Sequence, residues 1–397
     1  MTTRPHIGPA LNGKSVHGQA LLDEMRGLWD PTGTLLSVVV TVPPDPTALR
    51  EFPARFGRLL AATRPVRGVN GVRGGERRLE AARDAVRRAV SAEPREWFGR
   101  TMVIVASADG GVLGPRRLPC AVPDVAVFGR RPHLRSVVRA HQACRPFSVV
   151  VLDRRHAWLF DISGDTVHPV RRLEGDGVRA HAYAGWYGLE ELRTRRHKSE
   201  LERRHYHATA AALERRGPPS GRPLVVGGHK AGVAEFLAAL AAPLRGRIAG
   251  TFTIDPHTMT PNEVRVRSTA VMAEWEAARR RQLAAELAAW EATGLAVHGV
   301  VGSAEAVSRS LADLLVVRGD ELIPGSVCDQ CGMLGMITHR CRNCVAPVYP
   351  VPDVIDEMVA RMLDNHGRLD LAGAAHGVNV AVRLHHDALA KSAARRL

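Results

Sequence analysis

The chain has 397 residues, 45% of them hydrophobic, and its 55 lysines and arginines against 40 aspartates and glutamates give a formal net charge of +15. That length accommodates two to four domains, each with its own core. No apolar run reaches the ~18 residues of a membrane span, the opening MTTRPHIGPALNGK lacks the apolar centre of a signal peptide, and six cysteines are too few for a disulfide scaffold, so the expectation is a cytoplasmic monomer without membrane attachment.

Residues 15–29 read as a short amphipathic helix, and the β-branched run Leu35 to Val42 as a buried strand closed by Pro43-Pro44-Asp45-Pro46. Helical spacing follows at 48–62 and 75–90, separated by the glycine-rich, basic loop Arg64 to Gly75. Strand patterns at 102–106 and 118–128 complete an α/β domain over 1–144. A second domain, 145–290, opens with three strands at 147–152, 157–162 and 166–172, joined by short turns as a meander. The glycine-aromatic stretch His181-Ala-Tyr-Ala-Gly-Trp-Tyr-Gly188 then runs into an arginine-rich helix, Leu189 to Arg216. Strand 223–226, helix 231–241, strand 248–254 and a long alanine-rich helix 262–293, with Trp275 and Trp290 at apolar positions, finish the domain. A third domain, 291–397, reads as strand 297–301, helix 304–311, strand 314–317, a cysteine insert, helix 354–363 and strand 378–384. Mixed strands and helices in this order indicate layered α/β domains.

The charge is unevenly spread. Residues 1–145 carry 23 basic and 12 acidic side chains, a net +11; residues 146–290 carry 22 and 16, a net +6; residues 291–397 carry 10 and 12, a net −2. A mere preference for arginine would spread the excess evenly. The gradient points to nucleic acid as the partner of the first two thirds and to protein as the partner of the last.

Cys328-Asp-Gln-Cys331, nine residues, then Cys341-Arg-Asn-Cys344 is the strongest local signal. Two paired knuckles present four thiolates to one tetrahedral ion, and Zn²⁺ accepts that donor set. With every position filled by sulfur the metal is structural. A redox role for one pair is the weaker reading, and Cys120 and Cys144 read as ordinary buried thiols. Val225-Val-Gly-Gly-His-Lys230-Ala-Gly232 fails the phosphate-loop pattern, because Ala231 follows the lysine, and reads as a tight strand-to-helix turn. No Gly-x-Ser-x-Gly elbow and no convincing Ser/His/Asp set stands out in the sequence. His197 and His205, eight apart, fall near one face of the basic helix and read as a solvated or RNA-facing surface.

On that helix Arg193, Arg195, Arg196 and Lys198 cluster beside a loop whose Tyr183, Trp186 and Tyr187 offer aromatic faces to unpaired bases. Arg145 to Ile162 (RPFSVVVLDRRHAWLFDI), the loop and helix over 183–213, and Ala304 to Cys331 resemble the class-1 peptide release factors of archaea and eukaryotes and their bacterial relatives. The resemblance runs over essentially the whole chain. It implies a three-domain α/β architecture of mixed sheets, whose third domain is α/β/α with a zinc-knuckle insert. The first domain would sit in the decoding centre, the second would reach the peptidyl-transferase centre, and the third would meet a translational GTPase.

In that family the loop carries Gly-Gly-Gln, whose glutamine positions the hydrolytic water. Here Ala184-Gly185-Trp186 stands in its place, and no glutamine occurs between Gln142 and Gln282. The first domain also lacks the family's stop-codon-reading motifs. Reach without chemistry resembles the Balon-type ribosome-hibernation factors. That implies a non-enzymatic protein in the A site of idle bacterial ribosomes, touching 16S and 23S rRNA and accompanied by elongation factor Tu. Tyr183, Gly185, Trp186 and Tyr187 would then probe the peptidyl-transferase centre, Arg193, Arg195, Arg196 and Lys198 would anchor phosphates, and Arg67, Asn70 and Arg73 would face the decoding centre. The alternative expectation is a rescue hydrolase in which His181 or a backbone amide places the water.

Overall fold

The computed structural model describes residues 18–65, 75–91, 97–175, 189–215, 222–371 and 379–385. It divides into two compact units, Met1–Cys144 with Ala285–Leu397, and Arg145–Ala284. In the first, helix α1 (Gly18–Arg26) precedes β1 (Leu35–Thr41), whose first six residues are all buried. Helices α2 (Pro46–Ala62) and α3 (Gly75–Ser91) come before β2 (Thr101–Ser107), β3 (Val112–Arg117), β4 (Val125–Gly129) and α4 (Arg135–Ala143). The sheet is antiparallel in the order β3-β2-β1-β4. Leu36, Val38 and Val40 pack on Phe52, Phe56, Leu79 and Val86 of α2 and α3, while Leu35 and Val39 belong to a second core with α1 and α4. Cover on both faces explains why β1 reads as a continuous apolar run and not as an alternation.

Two expectations are corrected here. The strand expected over 118–128 is shorter: 118–124 form the loop after β3, and only 125–128 lie in β4. Pro119 and Pro123 cannot donate to a ladder, so pairing stops and restarts around them. Helix α4 has no counterpart in the sequence reading, because its inward face carries two buried arginines, Arg135 and Arg139, where an apolar stripe would be sought.

The second unit begins with the expected meander, β5 (Phe147–Leu152), β6 (His156–Ser163) and β7 (Thr166–Glu174), followed by the long α5 (Leu189–Arg215). Next come β8 (Leu224–Gly228), α6 (Lys230–Ala239), α7 (Ala242–Arg245), β9 (Ile248–Thr253) and α8 (Pro261–Ala292). The sheet order is β7-β6-β5-β8-β9, with β5, β8 and β9 parallel. Tyr206, Leu213 and Phe236 of α5 and α6 pack on Val150, Leu152 and Val226. Val264 and Met272 of α8 pack with Val149, Val151 and Val225, the alternate residues of the same strands. The unit is thus a three-layer α/β/α sandwich.

The C-terminal segment runs β10 (Ala296–His298), α9 (Val300–Ser308), β11 (Ala312–Arg318), β12 (Gly325–Cys328), β13 (Leu334–Gly335), β14 (Val348–Val351), α10 (Val354–Asp364), β15 (Arg368–Asp370) and β16 (Asn379–Leu384). Its main sheet has the order β10-β16-β11-β15, and the cysteine insert builds a sheet of its own, β13-β12-β14. Gly299, at φ +84°, shortens the strand expected over 297–301 and lets α9 begin at Val300.

The first and third segments, read from the sequence as separate domains, pack as one unit. Leu134, Val137 and Val138 share a core with Val307, Ile355, Met358 and Val359. Charge reinforces the seam. Asp356 of α10 caps α4, its Oδ1 accepting from the amides of Leu134 at 2.9 Å and Arg135 at 2.7 Å. Arg135, only 3% exposed, donates to Asp353 Oδ2 at 2.8 Å and to the carbonyls of Gly319 at 2.9 Å and Glu321 at 3.2 Å. Each of these buried charges is therefore met by several partners, the condition under which burial is tolerated.

Burial pushes the Glu357 carboxyl up to about 7, against the pull of Arg131, whose Nε lies 3.3 Å from its Oε2. A carboxyl whose folded pKa exceeds its unfolded value costs stability as pH rises from the mid-4s through about 7. Glu357→Gln should therefore raise the urea midpoint at pH 8 and leave it unchanged at pH 4. An equal change at both values would remove Glu357 as the source of the pH dependence.

Candidate metal knuckle and basic helix

Each Cys-x-x-Cys turn is folded by the same backbone bonds. The Cys328 amide donates to Met333 O at 2.9 Å, and Gly332 N donates back to Cys328 O at 3.1 Å. In the second turn Cys341 N donates to Ala346 O at 2.9 Å and Val345 N to Cys341 O at 3.0 Å. The residue after the second cysteine is left-handed in both, Gly332 at φ +68° and Val345 at φ +63°. A Cβ at Gly332 would stand 2.7 Å from Nη2 of Arg361, a flexible side-chain end that would have to shift.

These turns aim four sulfurs at one point. Cys328 to Cys344, Cys331 to Cys341 and Cys331 to Cys344 are each 3.5 Å apart, and all four sulfurs lie within 4.8 Å of one another. Sulfurs ~2.3 Å from a central ion would stand ~3.8 Å apart at tetrahedral angles, so the set fits a four-thiolate metal centre. Amides of Gln330 and Cys331 donate to Cys328 Sγ at 3.4 Å, and Asn343 N donates to Cys341 Sγ at 3.3 Å. His339 is not part of the group. An ion held by all four thiolates would have no open position for water or substrate. The other two cysteines, expected as buried thiols, are half-buried.

The knuckle is tied to its unit. Arg130 lies 3.7 Å over the Tyr349 ring and 3.3 Å from Asp329, Leu334 N donates to Ser308 Oγ at 2.8 Å, and Arg361 donates to Gly332 O at 2.9 Å.

Arg193, Arg195 and Arg196 fall on the first half of α5, their side chains outside the described residues, and Lys198 on the same helix is exposed. Tyr183, Gly185, Trp186 and Tyr187, and likewise Arg67, Asn70 and Arg73, lie outside the described residues. Farther along α5, Arg203 and Arg204 stand exposed with Glu200 between them, at 2.7 and 3.0 Å. The opposite face is core. His197 is exposed but His205 is 4% exposed and packs beside Tyr206 and Thr209, which corrects the expectation of a shared outer face. Eight residues turn a helix by ~80° beyond whole turns, enough to carry one histidine inside. Burial pushes the His205 imidazole down, toward the neutral form.

The sequence reading passed over the β5–β6 turn. Asp153 Oδ1 accepts from the amides of Arg155 and His156, both at 2.6 Å, while Oδ2 meets His156 Nδ1 at 3.3 Å and His257 Nε2 at 3.1 Å. The folded turn exposes Arg154 and Arg155, adding two cations to this unit's surface. Their signal was the Arg-Arg pair after an apolar strand. By contrast, the glycines before Lys230 are explained by packing, since a Cβ at Gly228 would stand 2.3 Å from Leu152 O and one at Gly227 2.5 Å from the Phe252 ring.

Residues 132–280 match the family model of the bacterial archaeo-eukaryotic release factors, family 10. Among solved structures the chain is similar to an archaeal translation termination factor, aRF1, at 11% identity and TM-score 0.23 over 93% of this chain and 97% of that one. It is also similar to Pelota of Archaeoglobus fulgidus, at 14% identity and TM-score 0.32 over 73% and 80% of the two chains. Dom34 of S. cerevisiae is similar at 9% identity and TM-score 0.41 over 74% and 75%. No curated protein sequence matches the chain. Among the described residues no helix is long and apolar enough to cross a membrane.

Proposed function

We propose that this chain, release-factor-like over residues 132–280, is a ribosome-hibernation factor that occupies the A site of idle bacterial ribosomes and shields both functional centres without releasing peptide. One observation carries the proposal. The matched segment contains the meander, the loop and the basic helix of a release factor, yet has no glutamine between Gln142 and Gln282 to place a hydrolytic water. What remains is a cationic reach. Ribosomal RNA rewards arginine through phosphate neutralisation and counterion release, without reading sequence. Trp186 and Tyr187 offer aromatic faces that can stack in the peptidyl-transferase centre without reacting. The first segment, with Arg67, Asn70 and Arg73, faces the decoding centre. The C-terminal segment, net −2, suits protein docking over RNA and receives elongation factor Tu. The four cysteines hold Zn²⁺ as a structural ion. The place of action is the cytoplasm.

Charge reversal on the helix tests the electrostatic part. In Arg193→Glu/Arg195→Glu/Arg196→Glu/Lys198→Glu, ribosome affinity should fall at least ~10-fold at physiological salt. The plot of log affinity against log salt should flatten by roughly three, as expected for about four lost phosphate contacts. Sedimentation with ribosomes at several salt concentrations measures both. An unchanged slope would show that these side chains do not meet phosphate.

A further inference from the structure

A cavity of about 350 Å³ opens beside the start of α4, walled on its apolar side by Leu59, Val127, Phe128 and Leu322. Its polar side holds an arrangement that residue spacing cannot reveal. Ser136 Oγ lies 3.1 Å from His133 Nε2, and His133 Nδ1 lies 3.5 Å from Asp356 Oδ1, a residue 223 positions further along the chain than His133. All three are held in place. His133 is buried, and its amide donates to Ser37 Oγ at 3.0 Å. Asp356 is fixed by the amides of Leu134 and Arg135. Ser136 sits in the first turn of α4, half-buried and lining the cavity.

We propose that Ser136, His133 and Asp356 act as nucleophile, general base and positioning carboxylate in the hydrolysis of a short-chain carboxylic ester bound in this cavity. A nucleophile–base hydrogen bond and an adjoining pocket are what acyl transfer requires, and His133 Nδ1, buried without a hydrogen-bond partner, stands 3.5 Å from the carboxylate that would orient it. Ser136 Oγ attacks the acyl carbon while His133 Nε2 takes its proton. The tetrahedral adduct collapses, and the departing alkoxide takes that proton and leaves as the alcohol. Water then attacks the acyl-serine, giving its proton to Nε2, and collapse returns that proton to Ser136 and releases the carboxylic acid. Two of the four orphan amides at the start of α4 are occupied by Asp356. That of Ser136, which lines the cavity, has no acceptor inside the helix and can receive the developing oxyanion. A cavity near the small end of the usual ligand range, with an apolar wall, admits a short acyl chain and excludes a polymer.

The groups facing His133 are Asp353 and Asp356 of α10, Arg135 and Ser136 of α4, and Ser37 of β1. Burial outweighs the attraction of Asp353 and pushes the imidazole down to about 4, which leaves it neutral across the working range and a weaker base than an ordinary histidine. The acid limb of the rate profile should accordingly fall near pH 4, well below that of an ordinary histidine.

The test uses the full chain, a fluorophosphonate probe and the acetate and butyrate esters of p-nitrophenol. The expected result is a phosphonate adduct on Ser136 and ester turnover that Ser136→Ala abolishes while leaving the circular dichroism spectrum intact. His133→Gln should slow turnover by roughly 10²–10⁴-fold. Asp356→Asn keeps an acceptor for the two amides and should lower kcat with KM unchanged. No adduct on Ser136, or ester turnover equal in wild type and Ser136→Ala, would overturn the proposal whatever the other variants do.

Discussion

Replacing Arg135 with alanine is expected to cost the first unit about 3–5 kcal/mol, the usual price of leaving a buried charge unpartnered. The guanidinium meets Asp353 and the carbonyls of Gly319 and Glu321 together, so its removal unpairs Asp353 Oδ2 and leaves Gly319 O with Arg139 as its remaining side-chain donor. Asp353 bears most of the loss. It is nearly fully buried, and Arg135 supplies the main attraction that offsets its desolvation. Arg135→Met restores apolar volume but not the donors, and should lose stability comparable to that of alanine. The double variant Arg135→Met/Asp353→Leu removes both charges and should recover much of it. Urea denaturation followed by circular dichroism reads all three. A loss below about 1 kcal/mol for alanine would mean that water reaches the site and the seam is held by apolar packing alone.

The second large effect concerns the knuckle. The insert between β11 and α10 has little core of its own, and a bound zinc would supply what apolar burial cannot, ~10 kcal/mol or more in small zinc modules. The purified protein should contain one equivalent of zinc. Cys341→Ser or a strong chelator should remove it and collapse amide protection across β12, β13 and β14. The sheet of the second unit should keep its protection, because β5, β8 and β9 are covered by their own helices. Hydrogen exchange followed by mass spectrometry separates the two regions. Protection of the knuckle that survives chelation would show that the thiols fold the turn without an ion.

What the chain reveals in one dimension depends on how far apart the cooperating groups lie. The cysteine site was legible because its ligands come in pairs two residues apart, and the pairing itself encodes the turn. The β5–β7 meander was legible because short turns interrupt apolar runs. Helix α4 was not, since Arg135 and Arg139 occupy positions where an apolar face was sought, and their partners lie some 180 to 220 residues away. The same separation hid Asp356 from Ser136 and His133. His205 was misplaced for a subtler reason, a rotation of less than a quarter-turn deciding between solvent and core. The merging of the first and third segments depends on these same long-range contacts, and a linear reading gives each segment its own domain by default.

The central claim, occupancy of the A site, is tested most directly by co-sedimentation with purified bacterial ribosomes at near-physiological salt. Vacant ribosomes should carry the protein into the pellet, whereas ribosomes whose A site already holds tRNA should leave it in the supernatant. Equal recovery with both, or none with either, would contradict A-site binding and leave a release-factor-like chain that acts elsewhere.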